Sequence, residues 1–414
     1  MSIGDRKARI TVAFFDEAVS FGGSVVVLAH LFNHAARERF SPRLITSLDS
    51  ESMRSLFRPQ DVWCRFRPKL TYASRARWMN RCPHSAAAIK RLWSYSFTVA
   101  SLIVNLPAYA QLFLKFTVSR PDIVHVNNGT AGFAMARIFR IPVVWHLHGF
   151  APQSAKCAKL ANRNGWSVVS ISRFISNEAI KHGLDPKLMI EVPNPIPVVA
   201  AGRGSRLEWA RRFGISDNAI IVAHVGRVVR WKGQLEFLRA FTEIAERYSN
   251  VVALIVGDDL EGLDTEYPAE LRHLVEERHL EARVVFTGHV TDITDLMSST
   301  DIVVHSSIEP EPFGLVITEA MAAGAAVVAS RLGAPTEIVD EGVTGLLVDP
   351  LNTAEFAGAL DALIRDDIKR QEMAKRARAM LMSRYSPWVF AERMTTVYES
   401  VLERRRSSAS ARWR

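Results

Sequence analysis

The feature that most constrains this chain is a repeated alternation between short apolar runs and longer helical segments. The apolar runs are nearly continuous and rich in β-branched residues, which is typical of parallel strands buried on both faces. They occupy residues 9–15, 122–126, 142–147, 166–171, 219–225, 251–257, 283–288, 301–307 and 325–330. This alternation predicts an α/β fold with doubly wound parallel sheets.

A stretch rich in proline and glycine, residues 192–206, predicts a boundary between two domains. Its three prolines cannot donate hydrogen bonds to a strand ladder, and glycines and small residues follow them. We therefore predict an N-terminal domain over 1–197 and a second domain over 205–385, each long enough for its own core. The basic, serine-rich end of the chain, 404–414, is expected to be disordered.

The composition is that of a soluble globular protein, with 48% hydrophobic and 23% charged residues. The first apolar run, 9–15, is better explained as a strand than as a signal peptide, because no small-residue cleavage site follows it. Cys64, Cys82 and Cys157 are too widely spaced for a metal cluster and odd in number. These features predict a cytoplasmic protein in a reducing compartment.

The net charge of +9 is unevenly distributed along the chain. Residues 1–200 carry a net charge of +15, whereas residues 201–414 carry −6. A charge difference of this kind suggests that the N-terminal half faces an anionic partner.

A basic segment followed by an apolar segment carries much of this positive charge. Residues 54–91 hold ten Lys or Arg against the single acid Asp61, with aromatic residues between them. Residues 92–116 are apolar apart from Lys115, and Pro107 predicts a break into two short helices. A pair of core helices beside a solvated basic face explains this pattern. A patch over 54–116 that contacts an anionic membrane surface explains it as well, whereas no nucleic-acid-binding module is visible.

The segment 309–324, EPEPFGLVITEAMAAG, predicts a helix that begins just after a strand end and stops at Gly324. The backbone N–H groups near Gly314 and in the first helical turn would then bind phosphate, through their orientation and the helix dipole. Glu311 precedes this helix and Glu319 lies within it. One carboxylate would face a sugar and the other a ribose, although cap and surface roles for both are the simpler explanation of two acids alone.

Two further loops follow predicted strands and carry glycine or cationic residues. Gly22 and Gly23 follow the first strand, where glycine lets the backbone approach a phosphate or sugar. Arg227 and Lys232 follow the strand at 219–225 and would neutralise negative charge on a departing diphosphate. A solvated basic loop is the alternative for this second pair.

The string 309–330, with 333–339 and 342–350, closely resembles the C-terminal signature of family 4 retaining glycosyltransferases. Four further segments resemble other parts of the same family. Residues 223–233 resemble its donor-phosphate segment and 21–31 its glycine loop, while 142–149 resemble its acceptor-side histidine segment and 167–196 the end of its first domain.

This resemblance implies the GT-B arrangement, in which two Rossmann-like domains with parallel sheets face each other across a cleft. It implies retaining transfer from a UDP- or GDP-sugar to a glycan or lipid-linked acceptor, in the synthesis of a cell-surface polysaccharide or glycolipid. It also implies that a helix over 386–403 returns to the first domain. The residues it assigns are, for catalysis, Glu311, His148, Arg227 and Lys232, and, for the donor, Gly22, Gly23, Gly288, Phe313, Gly314, Leu315, Val316 and Glu319.

Two histidines lie in the acceptor-side segment, and we expect them to point to opposite sides of the strand. The resemblance selects His148, which directly precedes a glycine, and leaves His146 as secondary. Glu337 is interpreted either as a residue lining the cleft or as a carboxylate at a helix start.

The sequence contains no Asp-x-Asp motif and no Cys/His cluster with metal-binding spacing. We therefore expect an enzyme without metal or cofactor, located in the cytoplasm and peripherally at the inner face of the membrane. A nucleotide-sugar epimerase or hydrolase on the same fold, and a non-catalytic sugar or nucleotide sensor, remain the alternatives.

Overall fold

The structure is a computed structural model in which the chain forms two compact units. The first unit comprises residues 1–170, 179–192 and 391–414, and the second comprises 171–178 and 193–390. The described residues are 9–17, 22–35, 37, 39–47, 51–69, 74, 78–79, 87–150, 154–196, 206–258, 264 and 266–411. Cys82 and parts of the basic segment 54–91 therefore lie outside the described residues.

The first unit contains a seven-stranded parallel sheet in the order β3-β2-β1-β4-β5-β6-β7. Its strands are β1 Ile10–Asp16, β2 Phe40–Thr46, β3 Val62–Arg65, β4 Ile123–Asn128, β5 Val143–Leu147, β6 Ser167–Ser170 and β7 Met189–Glu191. Its helices are α1 Gly23–His34, α2 Glu51–Leu56, α3 Ala87–Val118, α4 Ala131–Phe139 and α5 Ser154–Asn164. Helix α6, Arg173–Lys181, spans the boundary between the two units.

The second unit contains a six-stranded parallel sheet in the order β10-β9-β8-β11-β12-β13. Its strands are β8 Ile220–Val225, β9 Val251–Val256, β10 Val284–Gly288, β11 Ile302–His305, β12 Ala326–Ser330 and β13 Leu346–Val348. Its helices are α7 Arg206–Phe213, α8 Gln234–Arg247, α9 Tyr267–Glu277, α10 Ile293–Ser298, α11 Leu315–Ala323, α12 Pro335–Ile338, α13 Thr353–Arg365 and α14 Asp367–Arg384. The last helix, α15 Pro387–Ala411, continues into the first unit.

Both faces of the second sheet are buried, because successive side chains of a strand point to opposite faces and both sets pack against helices. Val222 of β8 packs in a cluster with Phe237 of α8, whereas its neighbours Ile221 and Ala223 pack in another cluster with Trp209 of α7. Apolar residues are therefore needed at every position of such a strand, which is why the strands appear in the sequence as continuous apolar runs.

The two sheets follow the same doubly wound order, and this confirms the predicted α/β class with two Rossmann-like domains. In each sheet the chain first builds outward from a central strand and then restarts on its other side, between β1 and β4 and between β8 and β11. Ligands of such sheets bind outside the carboxyl ends of the strands at this switch point. The fold therefore selects the loops after β1, β4, β8 and β11 as candidate sites.

All nine predicted strands are present, and four strands were missed. β7 and β13 have only three residues each, and β3 has four, too few for a periodic signal. β2 contains Pro42 and Arg43, which do not favour a strand in a central position, yet it pairs with β1 along its whole length.

The chain passes into the second unit between Val192 and Pro193, inside the stretch 192–206 predicted as the boundary, but residues 171–178 also group with the second unit. The Ser172 hydroxyl donates to the Pro312 carbonyl at 2.7 Å, and the Glu337 carboxylate accepts from the backbone N–H groups of Arg173 and Phe174 at 2.8 and 2.6 Å. These contacts join segments more than 130 positions apart, so a composition change along the chain does not reveal them.

The prediction of a disordered tail over 404–414 is wrong for residues 404–411, which continue α15 as a helix. Arg404 donates to the Ser167 hydroxyl at 2.7 Å, and Arg405 donates to the Arg140 carbonyl at 3.0 Å. Alanine and arginine also have high helix propensity. Earlier in the same helix, Tyr398 is fully buried, and its hydroxyl lies 2.9 Å from His125 Nδ1.

The predicted helix break at Pro107 is also wrong, because α3 runs through this proline. The helix instead bends by 43° between the segments Trp93–Ser101 and Ile103–Val118. Pro107 is exposed, so solvent can satisfy the carbonyl that loses its intrahelical partner. No single helix among the described residues has the length and apolar composition needed to cross a membrane, and only the two parts of α3 meet the criteria together.

Candidate functional site

The loop after β8 packs directly against the end of β11. It contains a short 3₁₀ helix, Arg230–Lys232, followed by Gly233 with φ of 73°. A Cβ atom at Gly233 would lie 1.9 Å from the Ser306 carbonyl oxygen, and the Ser306 hydroxyl donates to the Gly233 carbonyl at 2.7 Å. Only glycine permits this approach, and it fixes Lys232 beside the residues that follow β11.

Lys232 and Glu311 form a partly buried ion pair at the switch point of the second unit. Their Nζ and Oε2 atoms lie 2.7 Å apart. The same Oε2 accepts from the Ser307 hydroxyl at 3.1 Å and lies 3.2 Å from His305 Nε2. The two predicted catalytic residues, 79 positions apart in the sequence, are therefore brought together. His305 and Ser307 were missed, although His305 is the last residue of the apolar strand β11 and Ser307 lies two residues beyond it.

The backbone of Glu311 is held by the loop after β12. Its N–H donates to the Leu332 carbonyl at 3.0 Å, and its carbonyl accepts from the Ala334 N–H at 2.9 Å. A Cβ atom at Gly333 would lie 2.5 Å from the Glu311 carbonyl oxygen. The carboxylate therefore projects from a backbone that is fixed from both directions.

Glu311 is ionised throughout the physiological pH range. Burial opposes its charged form, but the hydrogen bond from His305 and the charge of Lys232 outweigh burial and lower its pKa to about 2. This ionisation stabilises the fold above the unfolded-state pKa, and that contribution is lost as the pH falls through about 2. The arrangement holds an ionised carboxylate 2.7 Å from the Lys232 ammonium group.

Arg227 lies in the same loop as Lys232, but its side chain is exposed. Its backbone carbonyl accepts from Gln234 Nε2 at 2.8 Å, so the loop is fixed at this position. The structure thus places both predicted cations after β8, with Lys232 on Glu311 and Arg227 toward solvent.

Helix α11 begins at Leu315, four residues after Glu311, close to where the sequence predicts it. Gly314 precedes it with φ of 101°, and Gly324 ends it with φ of 90°. Within the described residues, the N–H groups of Gly314, Leu315 and Val316 donate to no other group, so they form a polar helix terminus next to the ion pair. Phe313 is buried and its ring lies 6.2 Å from that of Tyr385, so its side chain serves the core.

Glu319 lies in the middle of α11 and is partly buried. Burial raises its pKa to about 7, and its carboxylate has no hydrogen-bond partner among the described residues. An acid kept in this state is suited to a ligand that donates hydrogen bonds to it. Glu311 is thus paired with Lys232 and ionised, whereas Glu319 has no such partner among the described residues and has a pKa of about 7.

Two of the predicted glycines, Gly22 and Gly288, have open surroundings. Gly288 ends β10 with φ of 67°, and no atom lies within 4 Å of a Cβ atom built there. Its carbonyl accepts from the Gly257 N–H at 3.0 Å. Gly22 caps α1, which begins at Gly23, and it too has open space around it. The first predicted glycine loop is otherwise outside the described residues.

The first unit has a cavity of about 300 Å³ at the carboxyl ends of β4 and β5. Its lining includes the predicted His148 together with Asn127, Thr130, Trp145 and His146. This position is the switch-point edge of the first sheet, where a ligand is expected.

His146 and His148 lie on the same side of their strand, so the expected opposite orientation is wrong. Their ring centroids are 4.1 Å apart, because residues two positions apart on an extended strand share a face. His125 of β4 lies 5.3 Å from His146 and connects the pair to Tyr398 of α15. Burial lowers the pKa of all three histidines, so the cluster is neutral.

Asn127 fixes the tautomer of His148, a role that the sequence did not reveal. His148 Nε2 lies 2.6 Å from Asn127 Oδ1, while Asn127 Nδ2 points to the Ser24 carbonyl at 3.4 Å. The amide orientation follows from that carbonyl, which only accepts. His148 Nε2 therefore carries the proton, and with its pKa lowered to about 3 by burial the ring keeps Nδ1 as an acceptor.

Two further carboxylates act at helix starts. Glu337 accepts from the first N–H groups of α6, which favours the helix-start interpretation over a cleft-lining role. Glu17, which the sequence analysis missed, follows β1 and accepts from the Ala131 N–H of α4 at 2.7 Å. Burial raises the pKa of Glu17 to about 7 against the opposing effect of its backbone hydrogen bonds.

Within the described residues, no three His, Cys, Asp or Glu side chains are grouped so as to hold a metal ion. Cys64 and Cys157 are both free thiols.

Comparisons with known proteins agree with this arrangement. The model of Glycosyltransferase Family 4 matches residues 21–199, and that of Glycosyl transferases group 1 matches 205–380. A D-inositol 3-phosphate glycosyltransferase of Corynebacterium efficiens is 30% identical over 67% of this chain and 71% of its own length. An N-acetyl-alpha-D-glucosaminyl L-malate synthase of Bacillus anthracis is 29% identical over 68% and 75%.

Solved structures show the same architecture. Anabaena Alr3699/HepE, crystallised with UDP and glucose, has a TM-score of 0.75 at 25% identity, covering 95% of this chain and 100% of that one. A glycosyltransferase from Rickettsia africae reaches a TM-score of 0.78 at 18% identity, over 95% and 99% of the two chains, which supports the fold alone. The chain therefore belongs to the family 4 glycosyltransferases and has two Rossmann-like domains of the GT-B type.

Proposed function

We propose that this glycosyltransferase transfers a sugar, with retention of configuration, from a UDP- or GDP-sugar to a glycan or lipid-linked acceptor. The observation that carries the proposal is the Lys232–Glu311 ion pair beside the open terminus of α11. We assign the donor to the second unit and the acceptor to the first. The product would enter a cell-surface polysaccharide or glycolipid.

The donor diphosphate would bind to Lys232, Arg227 and the N–H groups that begin α11. Two cations and a helix terminus would stabilise charge that develops on a departing diphosphate, which is the role a metal ion serves in other enzymes. The complex of Alr3699/HepE with UDP and glucose supports a nucleotide-sugar donor.

Glu311 would lie beside the donor sugar, whose anomeric carbon gains positive charge as the diphosphate leaves. A carboxylate with a pKa of about 2 stays charged under all assay conditions and needs no deprotonation step. Binding of the diphosphate to Lys232 would loosen the ion pair and direct the carboxylate to the sugar hydroxyls. The two charges thus complement the two halves of the breaking bond.

Glu319 would accept hydrogen bonds from the ribose, and the Gly288 loop would hold the base through backbone groups. On the acceptor side, His148 would use Nδ1 to accept a hydrogen bond from a sugar hydroxyl. Asn127 would then be a positioning residue, because it acts through His148.

Two other reactions and a non-catalytic role are distinguished by product analysis. Incubation with candidate donors and no acceptor would release free sugar from a hydrolase and isomerised donor from an epimerase. A sensor would bind the donor without turnover. Transfer that depends on an added acceptor is the result we expect.

Substitution of Glu311, which precedes α11, and of Glu319, which lies within it, should separate an effect on turnover from an effect on nucleotide binding. Glu311→Gln should lower turnover on the order of 10²-fold or more while leaving nucleoside diphosphate affinity nearly unchanged. Glu319→Gln should weaken that affinity about ten-fold, the scale of a lost charged hydrogen bond. Glu309→Gln is the matched control, because Glu309 is exposed two residues before Glu311. Near-normal turnover of Glu311→Gln would exclude the catalytic assignment.

Nucleotide affinity should depend on pH through Glu319. Its pKa is about 7 in the free protein, and a ribose that donates hydrogen bonds favours the ionised form. Affinity should therefore fall as the pH drops below 7, by up to about ten-fold per unit. Isothermal titration from pH 5.5 to 8 should show this slope in the wild type and a flatter one in Glu319→Gln, which retains only the titration of the nucleotide phosphates.

The raised pKa of Glu319 also makes the stability of the unliganded protein depend on pH, in the direction opposite to nucleotide affinity. A raised carboxyl pKa stabilises the fold below the unfolded-state pKa, and this stability is lost as the pH rises through about 7. Glu319→Gln should therefore stabilise the free protein relative to wild type at pH 8 but not at pH 4. Parallel slopes of nucleotide affinity in both proteins would contradict the assignment of Glu319.

Turnover should persist in an excess of chelator, because we assign the diphosphate charge to Lys232, Arg227 and α11. Lys232→Ala should reduce the rate on the order of 10²-fold or more. Arg230→Ala is the control, since Arg230 lies in the same 3₁₀ helix but pairs with Glu270 at 2.6 Å. Loss of turnover in chelator, restored by magnesium or manganese, would show that a metal ion takes this role.

We further propose that α3 contacts a membrane surface and thereby brings the protein to a lipid-linked acceptor. Its buried side chains, Phe97, Asn105, Leu112 and Phe116, share one face. An opposite stripe is exposed, and its members are Tyr95, Val99, Ile103, Leu106, Phe113 and Leu114. An exposed apolar stripe on a long helix is typical of an interfacial element.

Removing two side chains of this stripe should reduce vesicle binding. Ile103 and Leu106 are 68% and 64% exposed, so Ile103→Ser/Leu106→Ser should not disturb the core. We expect at least about ten-fold weaker co-sedimentation with phosphatidylglycerol vesicles, since each inserted side chain contributes about 1.5–3 kcal/mol. Leu351→Ser/Ile368→Ser, at exposures of 65% and 77% in the second unit, is the control. Equal binding of both variants would contradict the role of α3.

A further inference from the structure

A second cavity of the first unit lies at the edge of the sheet opposite to the histidine cluster. It has a volume of about 690 Å³ and is lined by the residues that precede β5 and β6, among them Ile141, Pro142 and Trp166. In a parallel sheet, the starts of the strands lie at the other edge from the carboxyl ends that carry His148. This cavity is therefore separate from the proposed acceptor site.

Four arginines line this cavity, and no acidic residue is among its described lining residues. Arg137 and Arg140 come from the end of α4, and Arg404 and Arg405 come from α15. A fifth arginine, Arg120, lies just after α3 and donates to the Phe139 and Arg140 carbonyls at 2.6 and 3.3 Å, but it does not line the cavity. The segment expected to be a disordered basic tail thus delivers two guanidinium groups to a cavity.

The arginines are held in this position by backbone and hydroxyl groups. Arg404 donates to the Ser167 hydroxyl at 2.7 Å, and Arg405 donates to the Arg140 carbonyl at 3.0 Å. Arg140 itself has φ of 52°, a left-handed conformation that is uncommon for a side chain of this kind. The guanidinium groups of Arg137 and Arg140 have no hydrogen bond or ion pair within the described residues.

The acids of α15 do not line this cavity. Glu392 and Glu399 both bind Arg39, each at 3.0 Å, and Glu403, directly before Arg404, is exposed and is not among the lining residues. Guanidinium groups that gather without acids repel one another, and a bound anion would offset that repulsion. Guanidinium groups bind phosphate oxygens in pairs of parallel hydrogen bonds, so phosphate is the chemistry that this lining suits.

We infer that this arginine-lined cavity binds a phosphate-bearing ligand at a site distinct from those of the sugar donor and acceptor. The phosphate belongs either to a soluble oligophosphate or to the headgroup of an anionic lipid. The cavity adjoins the C-terminal end of α3, because Phe113 and Phe116 pack on Phe139 of α4 at 5.2 and 5.4 Å. A headgroup in the cavity would therefore lie near the exposed stripe of α3.

The test compares two double variants of the full chain that remove the same charge. Arg137→Gln/Arg405→Gln removes two guanidinium groups of the cavity, and Lys375→Gln/Arg376→Gln removes two exposed cations of α14. Each protein is titrated with inorganic pyrophosphate by calorimetry and is sedimented with vesicles of phosphatidylglycerol and phosphatidylcholine. The proposed donor site is intact in the wild type and in both variants. A difference in pyrophosphate affinity between these three proteins therefore does not arise from that site.

The cavity variant should lose affinity for at least one of the two probes by about ten-fold or more, and the α14 variant should match the wild type. A loss confined to pyrophosphate identifies a soluble ligand, and a loss confined to vesicles identifies a lipid headgroup. Equal changes in both variants, or none in either, would overturn the site. Arg140→Asn, which tolerates the left-handed backbone, is a second cavity variant, and the unfolding midpoint of each variant verifies its fold.

Discussion

The ion pair between Lys232 and Glu311 joins the loops after β8 and β11 at the switch point of the second unit, and the function we propose depends on it. Glu311 is fixed by the loop after β12, and Lys232 is fixed by the close packing of Gly233 on Ser306. Removing either group would destabilise the fold, because the remaining partly buried charge would lose the interaction that compensates its desolvation. The free protein therefore holds the two groups paired and oriented, and in our proposal these are the electrostatics that transfer uses, present before any ligand binds.

At the same topological position, the first unit has neutral side chains where the second unit has an ion pair. Burial keeps His125, His146 and His148 neutral, and the protonation of Glu17 is balanced near pH 7. A neutral site with a defined tautomer recognises hydroxyl groups through hydrogen bonds without attracting phosphate. This difference matches a donor that carries charge and an acceptor whose reacting group does not.

The sequence was sufficient for the features that arise within one segment. Buried parallel strands require apolar residues at every position, and α11 is defined by the glycines at its two ends. It was insufficient where distant segments meet: nothing local to Asn127 shows that its amide faces His148, and nothing near Glu337 shows that it caps α6. The prediction that His146 and His148 point to opposite sides was wrong because residues two positions apart on a strand lie on the same face.

A cluster of positive charge in the first unit combines arginines from both halves of the chain, Arg137 and Arg140 from the N-terminal half and Arg404 and Arg405 from the C-terminal half. Among the described residues, this cluster lies where α4 and α15 meet, at the other edge of the sheet from the neutral histidine site. Long-range attraction acts over about 8–10 Å at physiological ionic strength, so such a cluster acts on ligands at its own surface. In our proposals, an anionic partner bound there would leave the histidine edge accessible to an acceptor hydroxyl, so that attachment and sugar transfer would occur on the same unit.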